Sequence, residues 1–376
     1  MPKKMSSLLN RLTSFTNPSK SADTSSGLKS RPDGFQTATT YSSLFPPTDP
    51  TIDGDECLHD CASCSIHYPR KFAIDEEDKL YGEIKGWNRH LLVATGKTDW
   101  VRDVEEEKGS VMEAVGKHSG LVERGRLMLS ASNIPPPDWE GDGGVYAKGR
   151  PTRCLLLPAF QWVEGVMPEN VPEVIKGVVN PAVTNLDRLG GSGSSSGQGE
   201  EEVEKQSGRA TSTPTPTLPP GITLHACPHK YLILLCSQAT RDARCGQSAP
   251  LLRRELERHL RPLGLFRDFD DTRPGGVGIY FISHVGGHKY SANMMVYRRD
   301  DGGGRSVEEQ MQANGDGQQQ EGQGQGQQAG QCIWLARVRP EDCENIVRFT
   351  VLQGKVVKPE RQLRGGFDRG RGVVSW

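Results

Sequence analysis

Three stretches of this 376-residue chain carry too few apolar residues to pack, and they leave only two blocks in which a core can form. Residues 1–52 are rich in Ser, Thr, Pro and Lys and read as a disordered arm. Residues 186–220 include GGSGSSSGQGEEEVEKQSGRATSTPTPTLPP, a Gly/Ser, acidic and Thr-Pro sequence suited to an interdomain linker. Residues 300–331, centred on GDGQQQEGQGQGQQAGQ, read as an insertion in a surface loop, because loop-closure entropy rises only slowly with length. Gly (44) and Pro (25) are abundant and apolar types reach only 34%, which fits a chain with part of its length outside any core.

The two remaining blocks, 53–185 and 221–376, repeat an order of signals. Each opens with an apolar strand, HLLVATG from His90 and YLILLCSQ from Tyr231, and passes through a polar loop into a helical stretch. Each then shows a strand led by cysteine, CLLLPAF from Cys154 and CIWLARV from Cys332, and a helix start at PENVPEVI or PEDCENIV. The pattern predicts a degenerate duplication of an α/β unit in the thioredoxin-like order, with each sheet covered by helices. In the second block LLRRELERHL puts Leu252, Leu256 and Leu260 on one helical face. Arg253, Arg254 and Arg258 then form a solvated face or a docking patch for an acidic partner.

Lys plus Arg (46) and Asp plus Glu (47) cancel, so no chain-wide basic field exists to hold nucleic acid or an anionic membrane. No apolar run approaches the roughly 18 residues that cross a bilayer. Nine cysteines, an odd number without an export signal, point to reduced thiols and metal ligands rather than disulfides. The expected compartment is therefore reducing. Cytoplasm is the first choice, with a mitochondrion as the alternative because Leu8, Leu9, Leu12 and Phe15 share a helical face beside Lys3, Lys4 and Arg11.

The chemistry-bearing residues lie in the second block. Cys236 and Cys245 form C-x8-C after YLILL, and His284 and His288 form H-x3-H after GIYFIS. Two thiols and two imidazoles without a carboxylate suit zinc or an iron-sulfur cluster rather than calcium or magnesium. Structural zinc prefers cysteines two to four residues apart, so the eight-residue loop favours the larger cluster. Gly286 and Gly287 let the backbone approach it. Arg241, Lys289, Tyr290 and Asn293 flank these ligands and are candidate supporting donors.

Cys57, Cys61 and Cys64 form C-x3-C-x2-C, in which Cys61 and Cys64 are a candidate redox dithiol or half a metal site that His59 or His67 could complete. Cys154, Cys227, Cys332 and Cys343 sit in or beside apolar segments and read as core residues. GKTDW at Gly96 lacks the rest of a phosphate-binding loop, and neither a nucleotide fingerprint nor a nucleophile triad is present, which favours a carrier over a self-contained enzyme.

CSQATRDARCG, SHVGGHKYSANMMVY and CIWLARVRP together resemble the C-terminal half of the sucrase/ferredoxin-like family. DCASCSIHYPRKFAIDEEDKLYGEIKGWNRHLLVATGKTDWVRD is similar to its N-terminal region. The resemblance implies a C-terminal thioredoxin-like ferredoxin domain that binds a 2Fe-2S cluster through Cys236, Cys245, His284 and His288. The first block, with Ala94 where the second has Cys236, would hold none. Neutral imidazoles in place of two thiolates would raise the reduction potential by up to roughly several hundred millivolts, and would couple the electron to a proton. The electron donor and acceptor are not identified by the sequence. Val374, Ser375 and Trp376 resemble the tripeptide by which clients dock on the cytosolic iron-sulfur targeting machinery. Two other readings remain: a zinc-stabilised interaction module on the same four ligands, and a thiol oxidoreductase using Cys61 and Cys64. No pair of carboxylates at strand ends supports sucrose hydrolysis.

Overall fold

Short runs of branched and aromatic residues flanked by glycine and polar turns make the central strands, and those from His90, Tyr231 and Val277 are buried on both faces. The computed structural model describes residues 27–137, 149–189, 218–299 and 328–376. Its strands are β1 (Leu28–Ser30), β2 (Gln36–Ala38), β3 (Arg89–Ala94), β4 (Leu127–Ser132), β5 (Thr152–Leu157), β6 (Gln161–Val166), β7 (Thr223–Ala226), β8 (Tyr231–Cys236), β9 (Phe266–Arg267), β10 (Val277–Ile282), β11 (Met294–Arg299), β12 (Ala329–Leu335), β13 (Leu363–Asp368) and β14 (Val373–Val374). They join in one mixed sheet in the order β1-β2-β14-β13-β12-β11-β8-β10-β4-β3-β5-β6-β7, with β9 beside β10.

The duplication is present in the topology. In the first half β3 runs parallel to β4 and antiparallel to β5, which pairs antiparallel with β6. In the second half β8, β10, β11 and β12 repeat these relations. Each parallel pair is bridged by a helix, Val111–Lys117 or Ala243–Leu260, started by the side chain of Ser110 or Asp242 on a backbone N–H two or three residues on. Each half then closes with a helix that begins at a Pro-Glu pair and ends in a π-helical turn, Ile175–Val179 or Ile346–Val351. Even the entry bond repeats: Met167 N–H donates to Asn170 Oδ1 (2.9 Å) and Arg339 N–H to Asp342 Oδ2 (2.6 Å). The counterpart of the Cys332 strand is β6, not the Cys154 strand as the cysteine pattern suggested. The same spacing separates Arg89 from Tyr231 and Thr152 from Met294, so the Cys154 strand β5 answers to β11. The low-complexity insertion falls between β11 and β12.

Helices cover only one face of each half-sheet. The outer face of the first half packs Leu91, Val93 and Leu156 on Val111, Met112, Val174 and Ile175. The outer face of the second packs Ile233, Leu235, Ile279 and Val296 on Leu252, Leu256 and Leu260. The inner faces meet in one cluster, with Leu92, Leu155 and Leu157 from the first half beside Leu234, Met295, Tyr297 and Trp334 from the second. The result is a four-layer α/β/β/α arrangement with a shared central core, rather than two α/β domains joined by a linker. Among the described residues neither half has a helix on its inner face.

Two boundaries also differ from expectation. Within the expected arm, residues 27–52 belong to the fold: β2 pairs with β14, and Phe35, Ala38, Leu44 and Phe45 are buried. Residues 53–85 lie on the second half. Tyr68 Oη donates to Val338 O (2.7 Å), Gly82 N–H donates to Arg364 O (2.9 Å), and Glu76 pairs with Arg339 and Arg361. The expected arm's first 26 residues, most of the linker and nearly all of the insertion lie outside the described residues. Cys154, Cys227, Cys332 and Cys343 are buried, and burial pushes the Cys227 thiol up to about 12.

The halves join where β4 meets β10. Phe281 N–H donates to Asn133 Oδ1 (2.7 Å), Ser132 Oγ donates to Phe281 O (2.8 Å), and Ala131 N–H donates to Ser283 Oγ (3.1 Å), all in buried surroundings. Asn133→Ala leaves the Phe281 N–H unpaired and is expected to cost about 1–3 kcal/mol, read as a lower urea midpoint at unchanged slope. A second prediction concerns His90, which lies between Tyr297 Oη (3.1 Å) and Ser130 Oγ (2.9 Å) in the shared core. Burial holds its pKa down to about 3, so its stabilising contribution is complete above the ordinary histidine value and is lost as pH falls toward 3. Denaturation curves from pH 7 to 4 are expected to show falling stability, with a shallower decline in His90→Gln.

Candidate metal centre

Cys236 closes β8 and His284 follows β10 by two residues; because these strands are parallel neighbours with Ile282 opposite Cys236, both ligands emerge at the same end of the sheet. Cys245 enters from the first turn of the helix Ala243–Leu260, whose N-terminal dipole favours a thiolate. The three ligating atoms lie within 4.8 Å of one another. Cys236 Sγ is 3.6 Å from His284 Nδ1; both cysteines are buried, and His284 is half-buried. The Cys245 thiol is pushed far up by its hydrogen bond with Cys236 and by burial. Two adjoining sulfur donors and an imidazole nitrogen, with no carboxylate among them, fit a soft or borderline metal. The side chain of His288 lies outside the described residues; its backbone opens the 3-10 turn His288–Tyr290.

Two groups hold the ligand loop in place. Gln238 accepts the His284 N–H at Oε1 (2.8 Å) and donates from Nε2 to Val101 O (2.5 Å), which fixes the loop against the first half. Arg364 is buried and donates to Gly286 O (3.1 Å), Asn293 Oδ1 (2.7 Å) and Glu83 O (2.9 Å), with its guanidinium 4.4 Å from the Trp334 ring. Burial lowers its pKa to about 10, so it remains a cation facing the ligand set. The sequence flagged neither residue. Gln238 follows Cys236 by two positions, a signal that could have been read; Arg364 is distant in sequence and carries no motif.

Among the flanking residues, Asn293 sits at the centre. Its backbone carbonyl accepts from Cys236 N–H (3.1 Å), and its side chain links Arg364 to Gly287 O. Tyr290 is buried and donates to Lys79 O (2.5 Å). Lys289 pairs with Asp78 at the surface (2.5 Å). Arg241 lines a cleft of about 900 Å³ between the halves, together with His284, Gly287, Arg102, Arg126 and Arg364.

Cys61 and Cys64 lie elsewhere, beside the far part of the helix Ala243–Leu260. The tripeptide Val374-Ser375-Trp376 is held within the fold rather than free. Val374 belongs to β14, Ser375 Oγ accepts from Gly366 N–H (2.9 Å), and Trp376 lies 4.6 Å from Trp87, its carbonyl bonded by Arg31 (2.6 Å) and Thr37 (3.0 Å).

Fold and site together define a tandem α/β protein of thioredoxin-like order in which two buried thiols and a half-buried imidazole that could hold a metal meet at the sheet end of the second half. The sequence profile of the sucrase/ferredoxin-like family matches residues 80–365, and the chain belongs to that family. Actin patches distal protein 1 of Saccharomyces cerevisiae is 26% identical over 266 residues, 67% of this chain and 75% of that protein. Altered inheritance of mitochondria protein 32 of Debaryomyces hansenii is 31% identical over 129 residues, and that of Clavispora lusitaniae 29% over 130 residues. The chain spans 34% and 33% of those two proteins. No solved structure matches the chain. Among the described residues no helix is long and apolar enough to cross a membrane.

Gly286 and Gly287 both have positive φ (88° and 69°), but a Cβ on Gly286 would meet nothing within 4 Å, whereas one on Gly287 would lie 2.4 Å from Arg364 Nη2. Gly286→Ala is expected to cost about 1–2 kcal/mol from backbone conformation alone. Gly287→Ala is expected to cost more and to lower the metal bound per chain, measured by thermal unfolding and elemental analysis.

Proposed function

We propose that this protein binds a 2Fe-2S cluster through Cys236, Cys245, His284 and His288 and serves as a single-electron carrier in redox homeostasis. The observation that carries the reading is the convergence of two buried thiols and an imidazole within 4.8 Å, where two parallel strands end and the helix Ala243–Leu260 begins. Membership of a ferredoxin-like family agrees with it. When bound, such a cluster takes up and releases one electron, at a potential that imidazole ligation raises.

The chain's own residues do the rest. Cys236 and Cys245 supply anionic donors, and Arg364 and the helix N-terminus offset their charge. His284 turns Nδ1 toward Cys236 and also lines the cleft, so one ring stands between the sulfur donors and an approaching partner. Arg102 and Arg241 on the cleft give a partner an approach to that side. The proposed setting is a reducing compartment, the cytosol before the mitochondrion, with the cluster delivered by cytosolic assembly machinery. Docking through Val374-Ser375-Trp376 requires Trp376 to leave Trp87.

The test is the visible spectrum of anaerobically purified protein before and after dithionite, for wild type and His288→Cys. Absorption between roughly 350 and 600 nm that bleaches on reduction is expected, with a lower midpoint potential in the variant. A colourless protein holding stoichiometric zinc at Cys236 after anaerobic reconstitution would leave the zinc-stabilised module instead.

A further inference from the structure

The helix Ala243–Leu260 carries Cys245 in its first turn, and three turns later it presents Glu255 and His259, one helical turn apart on one face. Against that face lies the turn Cys61–Cys64, closed by the Cys64 N–H on Cys61 O (3.2 Å). Cys61 Sγ is 3.8 Å from His259 Nε2, which is 3.3 Å from Glu255 Oε1, and these three atoms fall within 4.8 Å of one another. The Cys64 thiol faces the same carboxylate. His59 and His67, the imidazoles nearest in sequence, are exposed, and His259 from the helix takes the place they were expected to fill.

Three observations point to a cation in the middle of this set. The first is Glu255, a carboxylate almost fully buried whose Oε2 has no hydrogen-bond partner. A buried, half-satisfied carboxylate is costly unless a charge compensates it. The second is what occupies the centre: Arg258 Nη2 lies 3.2 Å from Cys61 Sγ and 3.0 Å from His259 Nε2, and it also bonds Glu255 Oε1. One guanidinium nitrogen thus touches three candidate ligands at once. Third, His259 turns Nε2, the ring nitrogen available for ligation, toward both Cys61 Sγ and Glu255 Oε1, so the donor atoms converge on one point. The Arg258 side chain is 41% exposed, so it can swing outward and leave its charge beside an anionic site.

We propose that Cys61, Cys64, Glu255 and His259 form a second metal site that takes one zinc ion and pins residues 57–64 to the outer helix of the second half. A C-x2-C knuckle wrapping one ion against two helical ligands is a spacing that zinc favours, and sulfur, nitrogen and oxygen donors together suit it better than calcium or magnesium. The site is distinct from Cys236, Cys245 and His284, and it stands whether or not those residues hold a cluster. Through the shared helix the zinc would steady the element that carries Cys245.

The test uses full-length protein produced with added zinc and purified without oxygen or chelators. Zinc is measured by mass spectrometry in wild type, Cys61→Ser, His259→Ala, His259→Cys and Cys236→Ser. One equivalent is expected in wild type, in His259→Cys, which keeps a ligand at that place, and in Cys236→Ser, which breaks only the other site. Cys61→Ser and His259→Ala are expected to fall to background. Chelation should lower the thermal midpoint of the first group and leave the second unchanged. Zinc that persists undiminished in both Cys61→Ser and His259→Ala, or that is lost in Cys236→Ser alone, overturns the proposal. A wild type that holds no zinc and forms a Cys61–Cys64 disulfide overturns it as well.

Discussion

Burial of the inner faces of the two half-sheets against each other is the constraint on which this structure depends. Leu92, Leu155 and Leu157 on one side and Leu234, Met295, Tyr297 and Trp334 on the other are covered by no helix among the described residues, so each half completes the core of the other. Apolar burial is worth about 25 cal/mol per Å², and a sheet with one naked apolar face would forgo much of its stabilisation. The joint between β4 and β10 is short, yet the bonds among Ser132, Asn133, Phe281 and Ser283 leave its polar groups paired in dry surroundings.

This stacking also sets the ligand loop. Gln238 and Arg364 hold His284–Gly287 by reaching to Val101 and Glu83, so the geometry at Cys236 depends on both strand order within the second half and segments from outside it. The first half repeats the scaffold but places Ala94 where Cys236 stands. It gives the second half an inner face, one wall of the cleft and an anchor for the ligand loop.

The helix Ala243–Leu260 ties the thiol–imidazole set to the cysteine turn at Cys61–Cys64. Its apolar stripe of Leu252, Leu256 and Leu260 packs as its periodicity requires. Its polar face is only partly solvated, because Glu255, Arg258 and His259 meet Cys61 there. Residues 53–85, assigned by sequence to the first block, run across the second half and bring these cysteines with them.

The sequence by itself determined the α/β class, the repeated order of elements, the position of Cys236 and His284 at strand ends, and the burial of the core cysteines, while Cys245, read as part of the same loop, lies in the first turn of the helix. These are local properties, fixed by periodicity, turn residues and donor chemistry. It misaligned the repeat at Cys154 and Cys332, since a cysteine in an apolar strand carries no register. It also read residues 27–52 as an arm, because β1 and β2 are too short to show periodicity and acquire order only by pairing with β14. Tertiary structure alone decided that the halves share a core, that Arg364 supports the ligand loop and that Cys61 meets His259. Each of these joins residues far apart in the chain, through faces and distances that only the folded backbone defines.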